Sequence, residues 1–217
     1  MRLLCNARRM RVFVARHGET TWNLAGRYQG HRESELSPLG RQQALALVEP
    51  MRAARLGRIT SSPLARCTAT AEPCVEQLNL PLEIDARLIE IAHGTWEGRL
   101  RDEIAANDGV RYRAWREDPG RVAFENGETL VQVFERWRAF AAALQPQTPT
   151  LVVTHDAVVR TALIATTGAG FEAFWSSRVE NSAYAVFDVD GARWTVVDEC
   201  VRAHLAGLRA PTEGQAL

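Results

Sequence analysis

Two histidines follow short apolar segments that the sequence pattern predicts to be buried strands. His17 comes after the segment 10–15, between Arg16 and a glycine, and His155 follows the segment 150–154. In an open α/β sheet, ligands bind at the carboxyl ends of the strands. Arginine offers a planar fork of donors that matches phosphate oxygens, and glycine lets the backbone approach an anion closely. A histidine held there could attack phosphorus as a nucleophile.

A second arginine is predicted to lie near another strand end. The segment 59–61 reads as a short strand, and a serine followed by proline then opens a helix predicted over 62–78. Arg66 falls in the first turn of that helix, where its side chain can curl back toward the strand end. Two histidines and two arginines at strand ends describe a pocket of converging donors, so the sequence predicts an anion site.

The elements that would position these groups alternate between strand and helix. The predicted helices span 38–55, 62–78, 129–144 and 156–167, and the predicted strands span 10–15, 59–61, part of 82–91, 150–154, and a closing hairpin at 184–188 and 194–197. This alternation predicts an α/β fold in which helices cover a sheet. The polar segment 21–37 is predicted to be a loop, and the charged segment 99–127 an insertion of one or two short helices over the strand ends. We expect one domain over 10–208, with tails at 1–9 and 209–217 and disorder from residue 211.

Composition excludes several classes of function. The net charge is zero, which gives no indication of binding to nucleic acid or an anionic membrane, and the chain contains no lysine for a Schiff base or a P-loop. The four cysteines form no metal-binding spacing and are expected to be free thiols. With no apolar run long enough for a signal peptide or a membrane span, we expect a soluble, cytoplasmic protein.

Several motifs resemble the signature of the histidine phosphatase superfamily, the phosphoglycerate mutase-like proteins. They are Arg16-His17-Gly18-Glu19-Thr20, Gly26-Arg27-Tyr28-Gln29-Gly30, Ser61-Ser62-Pro63-Leu64 with Arg66, Glu90 with Gly94, Trp96, Glu97 and Gly98, and Val153-Thr154-His155. They come in the family's order over about residues 10–190. The resemblance implies a three-layer sandwich with a mostly parallel central sheet flanked by helices, and a small helical insertion over the strand ends.

The resemblance also implies a mechanism. His17 would attack phosphorus in line and form a phosphohistidine that water hydrolyses, and Glu90 matches the family's general acid. The side chains implied to hold the phosphoryl oxygens are Arg16, Arg66, His155 and Asn23, and the candidate substrate-binding set also includes Gln29, Gly30 and Asp156. Burial of Glu90 would raise its pKa and keep it protonated near neutrality. No metal and no cofactor are expected, because the sequence offers no carboxylate cluster to bind a metal.

Other ionisable side chains near these motifs are given structural roles. Glu97 and Glu128 are expected to accept hydrogen bonds from backbone N–H groups in their glycine-rich turns. His31 and His93 are expected to be exposed or to pack within loops. None of the four is predicted to be catalytic.

Asp156 departs from the family pattern, in which the residue after the second histidine is usually small. We predict that it caps the following helix. The alternative is that its charge tunes His155 or disfavours a highly anionic substrate.

Three functions follow from the resemblance. The first is a metal-independent phosphomonoesterase of the histidine acid phosphatase type, acting on a small phosphorylated metabolite. The alternative is a cofactor-dependent phosphoglycerate mutase primed by 2,3-bisphosphoglycerate, and the third is a binding protein without turnover. The loop 26–30 is similar to the phosphatase branch, and the arginines of the 99–127 insertion are spread out rather than paired as in mutases. We therefore favour the phosphatase, with a small phosphate ester as partner and a homodimer as a family-level expectation.

Overall fold

A computed structural model describes residues 9–210 and 215–216 of the chain. Most of the predicted N-terminal tail, residues 1–8, lies outside the described residues. The same is true of residues 211–214 and 217 of the predicted C-terminal tail.

A six-stranded sheet forms the centre of the molecule. Its strands are β1 (Met10–Arg16), β2 (Arg58–Ser61), β3 (Leu82–Ile84), β4 (Thr150–Thr154), β5 (Tyr184–Asp190) and β6 (Arg193–Val201). They lie in the order β3-β2-β4-β1-β5-β6, with β3, β2, β4 and β1 parallel and the β5–β6 hairpin antiparallel at one edge. The predicted α/β fold with a mostly parallel sheet is confirmed.

The helices are α1 (Thr21–Ala25), α2 (Pro38–Ala46), α3 (Val48–Ala53), α4 (Ala65–Leu78), α5 (Arg101–Asn107), α6 (Gly109–Glu117), α7 (Leu130–Ala143) and α8 (Asp156–Thr167). Helices pack on both faces of the sheet. Side chains alternate across β1, so that Val12 and Val14 join a core with α7 and α8, while Phe13 and Ala15 join a second core with α3 and α4. The molecule therefore has the expected three layers.

Two helix ends follow from local chemistry. Thr129 and Gln132 form a reciprocal capping box at the start of α7. Gly168, at φ 75°, ends α8 in the left-handed conformation that glycine adopts without strain. The helices α5 and α6 also confirm the insertion predicted within 99–127.

Three sequence-based boundaries were wrong. The helix predicted over 38–55 is two helices that meet at Leu47, and the predicted loop 21–37 contains α1, which a capping box between Thr20 and Asn23 holds. The helix predicted from Ser62 begins at Ala65 without a side-chain cap. The hydroxyl of Ser62 lies instead 2.7 Å from a ring nitrogen of His155.

Two further features bear on the expectations from composition. Cys67 and Cys74 are buried and free, as expected of small core residues rather than a redox pair. In the part of the chain that the structure describes, no helix is both long enough and apolar enough to cross a membrane.

Candidate active site

The parallel pairing of β1 with β4 brings the two histidines together. Arg16 lies in register with Thr154, and the backbone N–H of His17 donates to the carbonyl oxygen of Thr154 across 2.9 Å. β1 ends at Arg16 and β4 ends at Thr154. The next residues, His17 and His155, therefore lie side by side with their ring centroids 5.3 Å apart. Sheet register therefore brings the two imidazoles side by side.

The ring of His17 has a defined tautomer. Its Nδ1 lies 2.7 Å from the carbonyl oxygen of Gly18, which can only accept, so Nδ1 carries the proton and Nε2 keeps a lone pair. Burial, with the neighbouring charges of Arg66 and Arg16, holds the pKa of His17 well below its usual 6.5. The imidazole is thus neutral near pH 7 and has a nucleophilic nitrogen.

Arg16 is held in place by three partners, all of which contact its two terminal nitrogens. Its Nη1 donates to the carbonyl oxygen of Val179 (3.0 Å) and lies 3.5 Å from the carboxylate of Asp156, and its Nη2 donates to Oε1 of Gln215 (2.7 Å). The buried Nε–H has no partner among the described residues. A guanidinium fixed in this way offers a donor to an anion.

Arg66 and His155 orient each other. Nε of Arg66 donates to Nδ1 of His155 (3.2 Å), while its terminal nitrogens donate to the carbonyl oxygens of Arg32 (3.0 Å) and Gly30 (2.7 Å). Because Nδ1 of His155 accepts, its Nε2 carries the proton and donates to Ser62. Both ring nitrogens of His155 thus have protein partners, and a direct bond to a phosphoryl oxygen requires one of them to be exchanged.

Glu90 is placed to exchange a proton near neutral pH. Its Oε1 accepts from the backbone N–H of Ile91 (2.9 Å), and the residue is 7% exposed. Burial, together with the negative charge of Asp156, raises the pKa of Glu90 to about 7, despite the opposing charge of Arg66. A carboxyl group with such a pKa suits general acid–base catalysis.

The prediction that Asp156 caps α8 was wrong. The N-cap residue is His155, which makes no side-chain cap bond, and Asp156 is the first residue of the helix itself. Its carboxylate accepts from Nε of Arg160 (2.5 Å) and also pairs with Arg16. Two buried guanidinium groups attract this carboxylate more strongly than the helix end does, because buried charges need charged partners.

The remaining predicted residues lie around the loop after β1. Oδ1 of Asn23 accepts from the backbone N–H of Thr20 (3.1 Å) and from Nδ2 of Asn181 (3.2 Å), while the buried Nδ2 of Asn23 has no partner within residues 9–210 and 215–216. Oε1 of Gln29 accepts from the hydroxyl of Thr20 (3.1 Å). Asn23 therefore offers a further donor.

One cavity collects most of the predicted set. Seven of the nine candidates line it: Arg16, His17, Gln29, Gly30, Arg66, Glu90 and Asp156. Asn23 and His155 lie outside it, bonded to neighbouring groups. The opposite wall is apolar and contains Trp115, Phe174 and Trp175. The cavity is narrow, with about 20 Å³ open to the centre of a water molecule.

Sequence reasoning missed several residues of the site. Asn181 bonds the carbonyl oxygen of His17 (3.2 Å) as well as Asn23, but no local pattern marked it. The disorder predicted from residue 211 was wrong for Gln215 and Ala216, which are 7% and 4% exposed, and Ala216 lines the cavity. His93 also lines the cavity. It was expected to be exposed or to pack within a loop, and it is buried.

Glu97 and Glu128 have the structural roles expected of them. Oε1 of Glu97 accepts from the backbone N–H groups of His31 (3.1 Å) and His93 (3.0 Å). Oε2 of Glu128 accepts from the backbone N–H of Ala92 (2.9 Å). Both carboxylates thus fix the loop that follows Glu90.

Comparisons with known proteins agree on one family. A sequence model described as histidine phosphatase superfamily (branch 1) matches residues 12–201. Phosphoserine phosphatase 1 of Hydrogenobacter thermophilus is 33% identical, with 90% of this chain and 94% of that protein covered. Adenosylcobalamin/alpha-ribazole phosphatase of Escherichia coli is 30% identical, with 83% and 91% covered. Among solved structures, Bacillus stearothermophilus YhfR has a TM-score of 0.86 at 30% identity, with 90% of this chain and 99% of that chain covered.

Proposed function

The chain belongs to the histidine phosphatase superfamily, and on that premise we propose that it is a metal-independent phosphomonoesterase that works through a phosphohistidine on His17. Its named relatives are phosphatases, which makes hydrolysis of phosphate esters its general activity. The observation that carries the finer proposal is the bond from Nδ1 of His17 to the carbonyl oxygen of Gly18, because it leaves Nε2 as a neutral nucleophile inside the cationic cavity. The substrate is a small phosphorylated metabolite.

In the first step, the lone pair of Nε2 of His17 forms a bond to phosphorus while the bond from phosphorus to the ester oxygen breaks. The electron pair of that bond goes to the ester oxygen, which takes the proton of Glu90 and leaves as an alcohol. The pKa of Glu90, about 7, supports this role because the protonated form is well populated near neutral pH.

In the second step, the ionised Glu90 takes a proton from a water molecule. The water oxygen bonds to phosphorus, the bond to Nε2 of His17 breaks, and the nitrogen regains its lone pair. Inorganic phosphate leaves, and Glu90 is again protonated. Glu90 thus gives up one proton in the first step and regains one in the second.

Fixed donors stabilise the charge that develops on the phosphoryl oxygens. Nε of Arg16 has no other partner among the described residues, and Arg66 adds a second guanidinium. Preorganised donors of this kind supply most of the catalysis in phosphoryl transfer, since little covalent work is left to the protein. His155 contributes by orienting Arg66. Cytoplasmic location and a homodimer stay predictions.

The test is phosphate release from a panel of phosphomonoesters in the presence of EDTA, for the wild type and for His17→Ala. We expect release from the wild type, its loss in His17→Ala, and an acid-labile phosphoenzyme that only the wild type forms. Release that survives in His17→Ala, or that EDTA abolishes, would overturn the mechanism. Interconversion of 3- and 2-phosphoglycerate with catalytic 2,3-bisphosphoglycerate, with little release, would identify a mutase instead.

A further inference from the structure

The carboxylate of Asp156 lines the active-site cavity beside an arginine of the phosphate site. The residue is 3% exposed. One of its oxygens lies 3.5 Å from Nη1 of Arg16, and the other accepts from Nε of Arg160 (2.5 Å). The cavity therefore holds a fixed negative charge next to the cations that bind the phosphoryl group.

Arg160, the second partner of this carboxylate, stands behind it. Arg160 is 7% exposed and is not one of the residues that line the cavity. Its Nη1 donates to the carbonyl oxygens of Phe174 (3.1 Å) and Ser177 (2.6 Å), which fix the guanidinium in place. A ligand in the cavity is thus closer to the negative charge of Asp156 than to the positive charge of Arg160.

The charge of Asp156 acts on the part of the cavity where the ester bond breaks. Together with burial, it raises the pKa of Glu90. The leaving oxygen of the substrate must lie near Glu90, because that carboxyl group gives it a proton. A charged group beside this oxygen on the alcohol therefore lies within range of the same field.

The half of the cavity that faces the alcohol offers no counter-charge to an anion. Its lining residues are apolar or aromatic: Ile91, Trp115, Phe174, Trp175 and Ala216. His93 also lines it, and burial lowers the pKa of that imidazole to about 3, so it is neutral near pH 7. A carboxylate on the alcohol would be buried without a charged partner, which is costly, whereas aromatic faces and a nearby carboxylate both attract an ammonium group.

The arginines nearest to this half belong to a neighbouring groove. The groove shares Trp175 with the cavity, and it is lined by Arg101, Arg116, Arg160 and Arg178. None of these four lines the cavity itself. They therefore do not supply a counter-charge to a group that sits beside the esterified carbon of a small alcohol.

We propose that Asp156 makes the enzyme select its phosphate monoesters by charge. It favours small alcohols that carry an ammonium group or no charge beside the esterified carbon, and it disfavours those that carry a carboxylate or a second phosphate there. This inference rests on the proposed phosphatase function and names the substrate class of the same site. Asp156 is a specificity residue that acts through its charge and takes no part in proton transfer.

The first test compares four esters of similar size. The charge ratio is kcat/KM for phosphoethanolamine divided by that for phosphoglycolate, and the neutral ratio is kcat/KM for hydroxyethyl phosphate divided by that for n-propyl phosphate. We expect a charge ratio of roughly tenfold or more in the wild type and a fall of about fivefold or more in Asp156→Asn, because charges interact strongly where water is excluded. The neutral ratio should not change, since neither alcohol is charged.

The two ratios separate charge from structure. Each is taken on one preparation, so it does not depend on how much of a less stable variant is folded. Asp102→Asn, which removes an exposed carboxylate of α5, is the matched control and should leave both ratios as they are. The proposal is overturned if Asp156→Asn keeps the charge ratio, if both ratios change equally, or if the wild type prefers phosphoglycolate.

A second measurement uses the wild-type protein and needs neither a variant nor turnover. Calorimetry gives the Kd of aminoethylphosphonate, n-propylphosphonate and phosphonoacetate, which cannot be hydrolysed. Weaker binding of phosphonoacetate than of the other two supports the inference, and equal or tighter binding overturns it. Wild-type protein that hydrolyses none of the four esters would instead overturn the proposed function, and calorimetry would still test the selection by charge.

Discussion

The side-chain oxygen of Gln215 lies 2.7 Å from Nη2 of Arg16 and so joins the C-terminal segment to the first cation of the phosphate site. Nε2 of Gln215 donates in turn to Oδ1 of Asn181 (2.8 Å), whose Nδ2 bonds the carbonyl oxygen of His17. The carboxamide is thus held at both ends. It occupies one of the donors of Arg16.

Removing this carboxamide should tighten phosphate binding. We expect Gln215→Ala to lower both the KM for esters and the inhibition constant of inorganic phosphate by about 2–10-fold. The reason is that phosphate no longer has to displace the hydrogen bond between Gln215 and Arg16, which is worth about 1 kcal/mol. Inhibition by phosphate measures this directly. Gln145→Ala, at an exposed position, is the matched control. Weaker binding in Gln215→Ala would show that the carboxamide orients Arg16 instead.

The pH dependence of turnover should report on Glu90. Since the protonated carboxyl donates to the leaving oxygen, kcat for alkyl esters should fall above the pKa of Glu90, about 7, by roughly tenfold per pH unit. The acid limb should appear only well below pH 6.5, where the neutral ring of His17 is lost. An alkaline limb at a clearly different pH would assign the proton donor to another group.

Glu90→Gln separates the two steps of the reaction. It should slow alkyl esters by about 10²–10⁴-fold and remove the alkaline limb. With p-nitrophenyl phosphate, whose leaving group needs no proton, we expect a burst of one nitrophenol per active site followed by slow turnover, because the base for the second step is missing. A rapid-mixing assay detects the burst. Equal slowing of both ester classes without a burst would contradict the double role.

The same variant should alter stability in a pH-dependent way. Folding raises the pKa of Glu90 from 4.5 to about 7. Its protonated carboxyl therefore makes its full contribution to the free energy of unfolding below pH 4.5, and this contribution is lost as the pH rises through 7. The cost of ionising the buried carboxyl is roughly 3 kcal/mol at most. We expect Glu90→Gln to match the wild type at pH 4.5 and to unfold at a higher temperature at pH 8. Equal Tm values at both pH values would contradict a raised pKa.

The sequence predicted the fold where local chemistry decides it. Apolar runs ending in His17 and His155 predicted two buried strands, and the motifs around them indicated the family that the comparisons then showed. The break of the first long helix at Leu47 was missed although Pro50 marks it, since proline has no N–H to donate to the carbonyl oxygen of Ala46 four positions earlier. The order of the strands in the sheet depends on packing between distant segments, and no local pattern encodes it.

The site follows the same division. The cationic half, with Arg16 and Arg66, could be predicted because strand ends and motifs mark it. The half that faces the alcohol could not, since Trp115, Phe174 and Ala216 come together only through the insertion, the turn after α8 and the C-terminal segment. At Ser62 a local interaction competes with a tertiary one. Its hydroxyl suits a helix cap, and the histidine beside it in space takes the hydrogen bond.

Asp156 should set the pH dependence of the enzyme through its charge. The carboxylate raises the pKa of Glu90, so in Asp156→Asn that pKa should fall and the alkaline limb of kcat should move to lower pH. The variant also leaves Arg160 and Arg16 without their buried counter-charge, at a cost of about 3 kcal/mol in unfolding free energy. A helix-capping role predicts neither change, because asparagine caps as well as aspartate. Asp102→Asn, an exposed first-turn carboxylate of α5, is the matched control, and pH profiles and denaturant unfolding of both variants decide between the two roles. An unchanged profile with unchanged stability would show that the charge of Asp156 neither tunes Glu90 nor stabilises the fold.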